Sequence, residues 1–216
     1  MASNIAGLHK GRPNAEESQQ KAANILAVAR EEFCARGYRA VTMRDIAARA
    51  LVSTRTLYNQ YADKLSLFTA CLALGAADFP TLDHATKPGD VARALYDYAV
   101  ALVRMLSSDS SRRLGMLVYR EGVEFPELAR AADENQRRHL LAPLAAFLAE
   151  KGLGGADEAE HARIFISMIL SGWQRRVSFR QPMLSDEELK QHAAIAVRLF
   201  LHGAARGGEA LIKYSL

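Results

Sequence analysis

Thr42-Met-Arg-Asp-Ile-Ala-Ala-Arg-Ala-Leu-Val-Ser-Thr-Arg-Thr-Leu-Tyr-Asn-Gln-Tyr-Ala-Asp-Lys64 reads as two short helices joined by a tight turn, with a third helix starting at its end. Thr42 is placed to N-cap the first helix, and Asp45 three residues on approximates a capping box. Met43, Ile46, Ala47 and Ala50 share one helical face at i, i+3, i+4, i+7 spacing. Ser53 is placed to cap the second helix, and Val52 with Leu57 fits a hydrophobic staple across that cap, as Val41 with Ile46 does on the first. Asp63 is placed to cap the third. Helices of about two turns each cannot bury a core alone, so they must lean on neighbouring elements. A helix-turn-helix that sets its second helix in the major groove of DNA has this design.

With Leu57 and Tyr61 turned inward, Thr54, Arg55, Tyr58, Asn59 and Gln60 face outward. Hydroxyls, a guanidinium and two amides suit base edges and phosphate oxygens. A helix face turned only to water has the same composition, so the polar pattern by itself leaves both readings open.

The run I-A-x-x-A-x-V-S-x-x-T-L-Y-x-x-Y-x-x-K-x-x-L-F, from Ile46 to Phe68, resembles the DNA-binding signature of the tetracycline-repressor (TetR) family. The preceding A-x-x-x-F-x-x-x-G-Y, from Ala29 to Tyr38, resembles the first helix of the same family, so the likeness covers about residues 20 to 70. It implies an all-α protein: an N-terminal three-helix helix-turn-helix domain, followed by a helical bundle for ligand binding and dimerisation. It further implies that Arg44, Thr54, Arg55, Asn59 and Gln60 reach base edges, while Thr42, Tyr58, Thr56 and Lys64 hold phosphates. One position departs from the family pattern, which has glycine before Val-Ser where this chain has Leu51. If the turn needs positive φ there, a leucine is strained by roughly 1 kcal/mol or more.

Charge agrees with a DNA-binding N-terminal segment. Residues 1–64 hold ten Lys and Arg against six acids, and residues 65–216 hold eighteen of each sign, so the whole net charge of +4 lies in the first segment. Half of the residues are hydrophobic and strand-like alternation is scarce, which argues independently for helices. Within the polar residues 1–15, Lys10 and Arg12 sit in His-Lys-Gly-Arg-Pro, similar to arms that enter a narrow minor groove. An incidentally charged tail fits the same residues.

The helix-turn-helix domain is expected over 16–64, an effector-binding and dimerisation domain over 65–206, and a loose tail over 207–216. Breakers divide the second domain into helices at about 65–79, 90–106, 112–122, 126–151 (kinked near Pro143), 156–179 and 185–206. Tyr119–Arg130 resembles a segment of some ligand-binding halves in the family. Tyr96, Met105, Met116, Tyr119, Phe125, His139, Phe147, Met168 and Trp173 are aromatic or adaptable residues suited to line a pocket for a small-molecule effector, or to fill ordinary core. The last two long helices carry more than one apolar stripe. Ile164, Phe165, Ile169, Ile195, Leu199 and Phe200 are the candidates for a homodimer interface, which the resemblance casts as a four-helix bundle.

Catalysis is not expected. Glu158-Ala-Glu-His161 is the only Glu-x-x-His motif, where helical di-iron sites use two. There is no Gly-rich phosphate loop, Cys/His cluster or nucleophile elbow, so no metal or cofactor is expected. Cys34 and Cys71 suit a reducing cytoplasm, and no signal peptide or membrane span is expected, since the longest apolar run (Leu140 to Ala149) is short and interrupted by Pro143.

Overall fold

The computed structural model describes residues 15–153 and 157–204, and among these the regular structure is helix without strand. The order is α1 (Ala15–Arg36), α2 (Met43–Arg49), α3 (Thr54–Gln60), α4 (Lys64–Ala76), α5 (Val91–Leu106), α6 (Asp109–Glu121), α7 (Pro126–Gln136), α8 (Ala142–Glu150), α9 (Glu158–Ser178) and α10 (Asp186–Ala204). Lys10, Arg12 and the tail 207–216 lie outside the described residues.

The short helices begin where their caps say they should. Thr42 accepts from Asp45 N–H while Asp45 accepts from Thr42 N–H, at 3.2 and 3.0 Å. Ser53 accepts from Thr56 N–H at 3.0 Å, and Asp63 and Ser66 close a second reciprocal box on α4. Each cap satisfies amides that helix geometry leaves without partners. Gly37 ends α1 with φ +86°, and its N–H donates to Phe33 O at 2.9 Å.

The helices share two apolar clusters. The first packs Ile25, Ala29 and Phe33 of α1, Ile46 and Leu57 of α2–α3, and Leu67, Phe68 and Cys71 of α4. It also takes in Leu114 and Leu117 of α6 and Leu128 of α7, so this core crosses residue 64 and draws on helices far along the chain. Phe33, Tyr38 and Phe68 meet with ring centroids 5.5–5.6 Å apart, and Phe125 joins them edge-on at 5.4 Å from Tyr38. The second cluster joins α5, α8, α9 and α10 around Leu95, Leu102, Phe147, Phe165 and Ile169.

The expected kink near Pro143 takes the form of a π turn just before it, Arg137–Leu141, where Ala142 N–H donates to Arg137 O. Proline lacks an N–H and its ring crowds the carbonyl four residues back, so the ladder widens by one residue ahead of it. α4 ends at Ala76 instead of running to about Phe79, and turns cover the interval up to Pro80.

A charged tie fastens α1 to α2. Glu32 is only 5% exposed. Its carboxylate accepts from Arg36 Nη1 at 2.8 Å and from Arg49 Nη1. Arg49 also reaches Glu31, and Arg36 reaches Asp45. The Arg36 hydrogen bond, with help from Arg49, holds the Glu32 carboxyl below its usual 4.5 against the opposing effect of burial. A depressed folded-state pKa contributes stability that is complete above 4.5 and is lost as pH falls below it. Glu32→Gln is therefore expected to lower unfolding stability by about 1–3 kcal/mol at neutral pH. Urea unfolding should show the gap between the two proteins closing as pH falls below 4.5. Equal stability at neutral pH would mean that the cluster is no tie.

Candidate nucleic-acid interface and inner cavity

α2 and α3 stand on the first core by Ile46 and Leu57, both fully buried, and this fixes which side chains point away. Arg44, Thr54, Arg55, Asn59 and Gln60 are all exposed on the helix pair. Neither Arg44 nor Arg55 has a carboxylate partner among the described residues, unlike Arg49 on the same helix as Arg44. The two free guanidiniums therefore keep their donors for an external acceptor.

The four side chains assigned to phosphates are placed differently. Tyr58 is half exposed and points outward. Thr42 and Thr56 use their hydroxyl oxygens in the caps, Thr56 lying 2.7 Å from Ser53 Oγ. Lys64 turns in. Its ammonium donates to Tyr38 O at 2.7 Å and Val41 O at 3.0 Å and sits 4.3 Å from the Tyr38 ring centroid. Burial pulls its pKa below the ordinary 10.5. As placed, the lysine ties the α1–α2 connection to α4 instead of reaching out to a phosphate, because two carbonyls of that connection have no other donor among the described residues.

Leu51 occupies the turn with φ 57° and is 92% exposed. The turn keeps the left-handed conformation that glycine would take freely. Ala50 O is held by Asn24 Nδ2 of α1 at 3.1 Å, and Val52 N–H donates to Ala47 O at 3.0 Å. These bonds hold a backbone that a leucine would otherwise leave.

A cavity of about 840 Å³ lies behind this unit, bounded by α1, α4, α5, α6, α7 and α9. Met105, Met116, Tyr119 and Trp173, four of the residues named for a pocket, line it. The other expected pocket residues lie elsewhere. Phe125 is packed on Tyr38, and Phe147 is sealed in the second core. His139 is exposed on the π turn, Tyr96 lies under Arg93, and Met168 lines a groove along α9 beside Ile164. Arg30, Gly75, Phe79 and Gln174 line the cavity and were not foreseen. Residues of α1 looked like reading-half core or surface, and only the packing of α1 on α6 turns Arg30 toward the cavity.

The candidate dimer residues divide in two. Ile164, Ile195 and Leu199 are roughly half exposed on the outer face of α9 and α10. Phe165, Ile169 and Phe200 are buried within the chain, the Phe165 and Phe200 rings 4.9 Å apart, so they are intramolecular core. Adjacent helical residues point about 100° apart, and α5 and α8 claim the inner stripe. Burial pushes the Cys71 thiol up to about 12 and raises that of Cys34, which disfavours thiolate chemistry at either. Among the described residues no helix is long and apolar enough to cross a membrane.

Comparison with known proteins matches residues 25–71 to the family described as "Bacterial regulatory proteins, tetR family". Residues 93–203 match "AefR-like transcriptional repressor, C-terminal domain". The chain is 26% identical over 184 residues to the uncharacterized HTH-type transcriptional regulator YvkB of Bacillus subtilis (strain 168), covering 83% of this chain and 94% of that protein. Among solved structures it is similar to the flavonoid-responsive regulator FrrA, with 24% identity, TM-score 0.71, and 86% and 97% of the two chains covered. A TetR family transcriptional regulator from Pseudomonas syringae pv. tomato str. DC3000 aligns with 25% identity, TM-score 0.64, and 85% and 95% coverage. Two successive family matches cover most of the reading unit and of the helical half, on a fold with a capped helix pair turned outward. The chain belongs to the TetR family and is a DNA-binding transcriptional regulator of the repressor type.

Proposed function

We propose that the protein acts as a homodimer on a near-palindromic operator and is released from it by a small molecule bound in the inner cavity. The observation that carries this reading is the shared core: the helices that present Arg44 and Arg55 outward belong to one apolar cluster with α1, α4, α6 and α7, which also wall the cavity. An occupant that shifts those walls acts on the reading unit without an intervening linker. It does so only through different affinity for the operator-bound and released arrangements. α4 is the lever of this scheme, its capped N-terminus against the reading unit and Leu72 and Gly75 at the cavity. The domains that follow are a reading unit over 16–64 and an effector and dimer half over 65–206, with α6 and α7 as the seam.

In this scheme Arg44, Thr54, Arg55, Asn59 and Gln60 meet base edges in the major groove, Tyr58 meets a phosphate, and Lys10 and Arg12 enter the minor groove beside it. Ile164, Ile195 and Leu199 join two copies through α9 and α10. The name of the structural neighbour FrrA supports a small-molecule response.

Selection from random duplex DNA tests the reading. The recovered sequences should hold two inverted half-sites about one helical turn or more apart, with affinity that falls linearly in log–log terms with salt. A lone half-site, or binding insensitive to salt, would sink it and favour a helical protein-interaction module.

A further inference from the structure

The charged side chains that line the cavity are of one sign. Arg30, Arg120 and Arg180 line it, and among the described residues no aspartate or glutamate does. Arg120 pairs with Glu121 at 3.4 Å. Arg30 is in another position. Its Nη2 donates to Ser110 Oγ at 3.0 Å, no carboxylate pairs with it among the described residues, and its Nε is buried without an acceptor. From α9, the Trp173 indole Nε1 is likewise buried without an acceptor among the described residues. Both groups are donors only, and a buried N–H without a partner is costly, most of all on a charged group. The surrounding surface is apolar, with Leu72, Phe79 and Met116 suited to a flat hydrocarbon body.

Resting on the reading of this cavity as the effector site, we infer that its ligand is an aromatic anion: a planar apolar ring system whose carboxylate, sulfonate or phenolate is held by Arg30 and the Trp173 indole. A neutral ring of the same shape leaves both donors unpaired, and a cation meets three arginines of which only Arg120 has a carboxylate partner among the described residues. Arg30 stands on α1 between Ala29 and Phe33-side core contacts, so the ligand's charge is anchored on the reading half itself.

Two fluorescent probes of one skeleton test this on the full-length protein: 8-anilinonaphthalene-1-sulfonate, an anion, and N-phenyl-1-naphthylamine, which lacks the sulfonate. The anion should bind the parent protein at least about tenfold more tightly, which corresponds to a single charged hydrogen-bond pairing. Arg30→Met should abolish that preference while leaving the neutral probe's affinity within about twofold, and Arg30→Lys should restore part of it. Trp173→Phe, a change that keeps the ring, should weaken the anion alone. Gly115→Phe on α6, where an added Cβ meets nothing within 4 Å, should fill the cavity and abolish both probes. Equal binding of the two probes to the parent, or a preference that survives Arg30→Met, overturns the anion and leaves the effector reading standing. Absence of both probes, or binding of both that survives Gly115→Phe, removes the cavity as a ligand site and both inferences with it.

Discussion

Replacing Arg44 and Arg55 together by alanine is expected to weaken operator binding by at least about 30-fold, since a bidentate arginine–guanine pair discriminates by roughly 1–3 kcal/mol. The loss should fall on the selected operator far more than on random duplex, because non-specific affinity comes mainly from phosphates. Thermal stability should stay within about 0.5 kcal/mol of the parent, as both side chains are exposed and without ion-pair partners among the described residues. Arg49 is the internal control. It lies on α2 one and a half turns from Arg44, yet its guanidinium joins Glu31 and Glu32. Arg49→Ala should therefore cost stability first and DNA affinity only through it. Fluorescence anisotropy with operator and random duplexes, beside thermal melts, separates the two effects. An unchanged operator affinity in the double variant would falsify the assignment of this surface to base reading.

Leu128→Ala carries the second large effect. Leu128 is fully buried, and although it stands on α7 it packs into the core under α1 and α4. Truncating a buried leucine costs about 2–5 kcal/mol. For a chain of this length that amounts to a melting temperature lower by roughly 5–15 °C. Hydrogen exchange should show the lost protection in α1 and α4 as well as in α7. A loss below about 1 kcal/mol, or one confined to α7, would mean that the reading unit stands independently of the helical half.

What sequence conveyed well was local. The caps at Thr42, Ser53 and Asp63 need only side chains within three residues, so their signal survives without tertiary information. The outward face of α3 followed from turning Leu57 and Tyr61 inward. Leu51 was legible too: family likeness marked a turn of positive φ, and the backbone adopts it at 57°. Partner choice was not legible. The leucines of α6 and the isoleucines of α9 announce apolar stripes, but a stripe does not say which helix covers it. Leu117 went to the reading unit, Phe165 to its own bundle, and Ile164 to the outside. Arg30 and Glu32 lie two residues apart on α1, each as polar as the next in the sequence. Packing of α2 brought Arg49 to one, beside Arg36 of its own helix, and packing of α6 left the other facing a cavity. Lys64 matched a family position, yet carbonyls from the α1–α2 connection reach its ammonium.

The leucines that α6 and α7 contribute beneath α1 bear on any attempt to recombine this protein with its relatives. A crossover placed in the loop after α4 would graft a foreign sensor onto a DNA-reading module whose floor left with the discarded piece. Such hybrids should be insoluble unless residues equivalent to Leu114, Leu117 and Leu128 travel with the module, or the donor sensor supplies side chains of matching volume. The useful exchange unit is thus discontinuous along the chain. The four amino-terminal helices would have to be transplanted together with the inward stripe of α6 and α7.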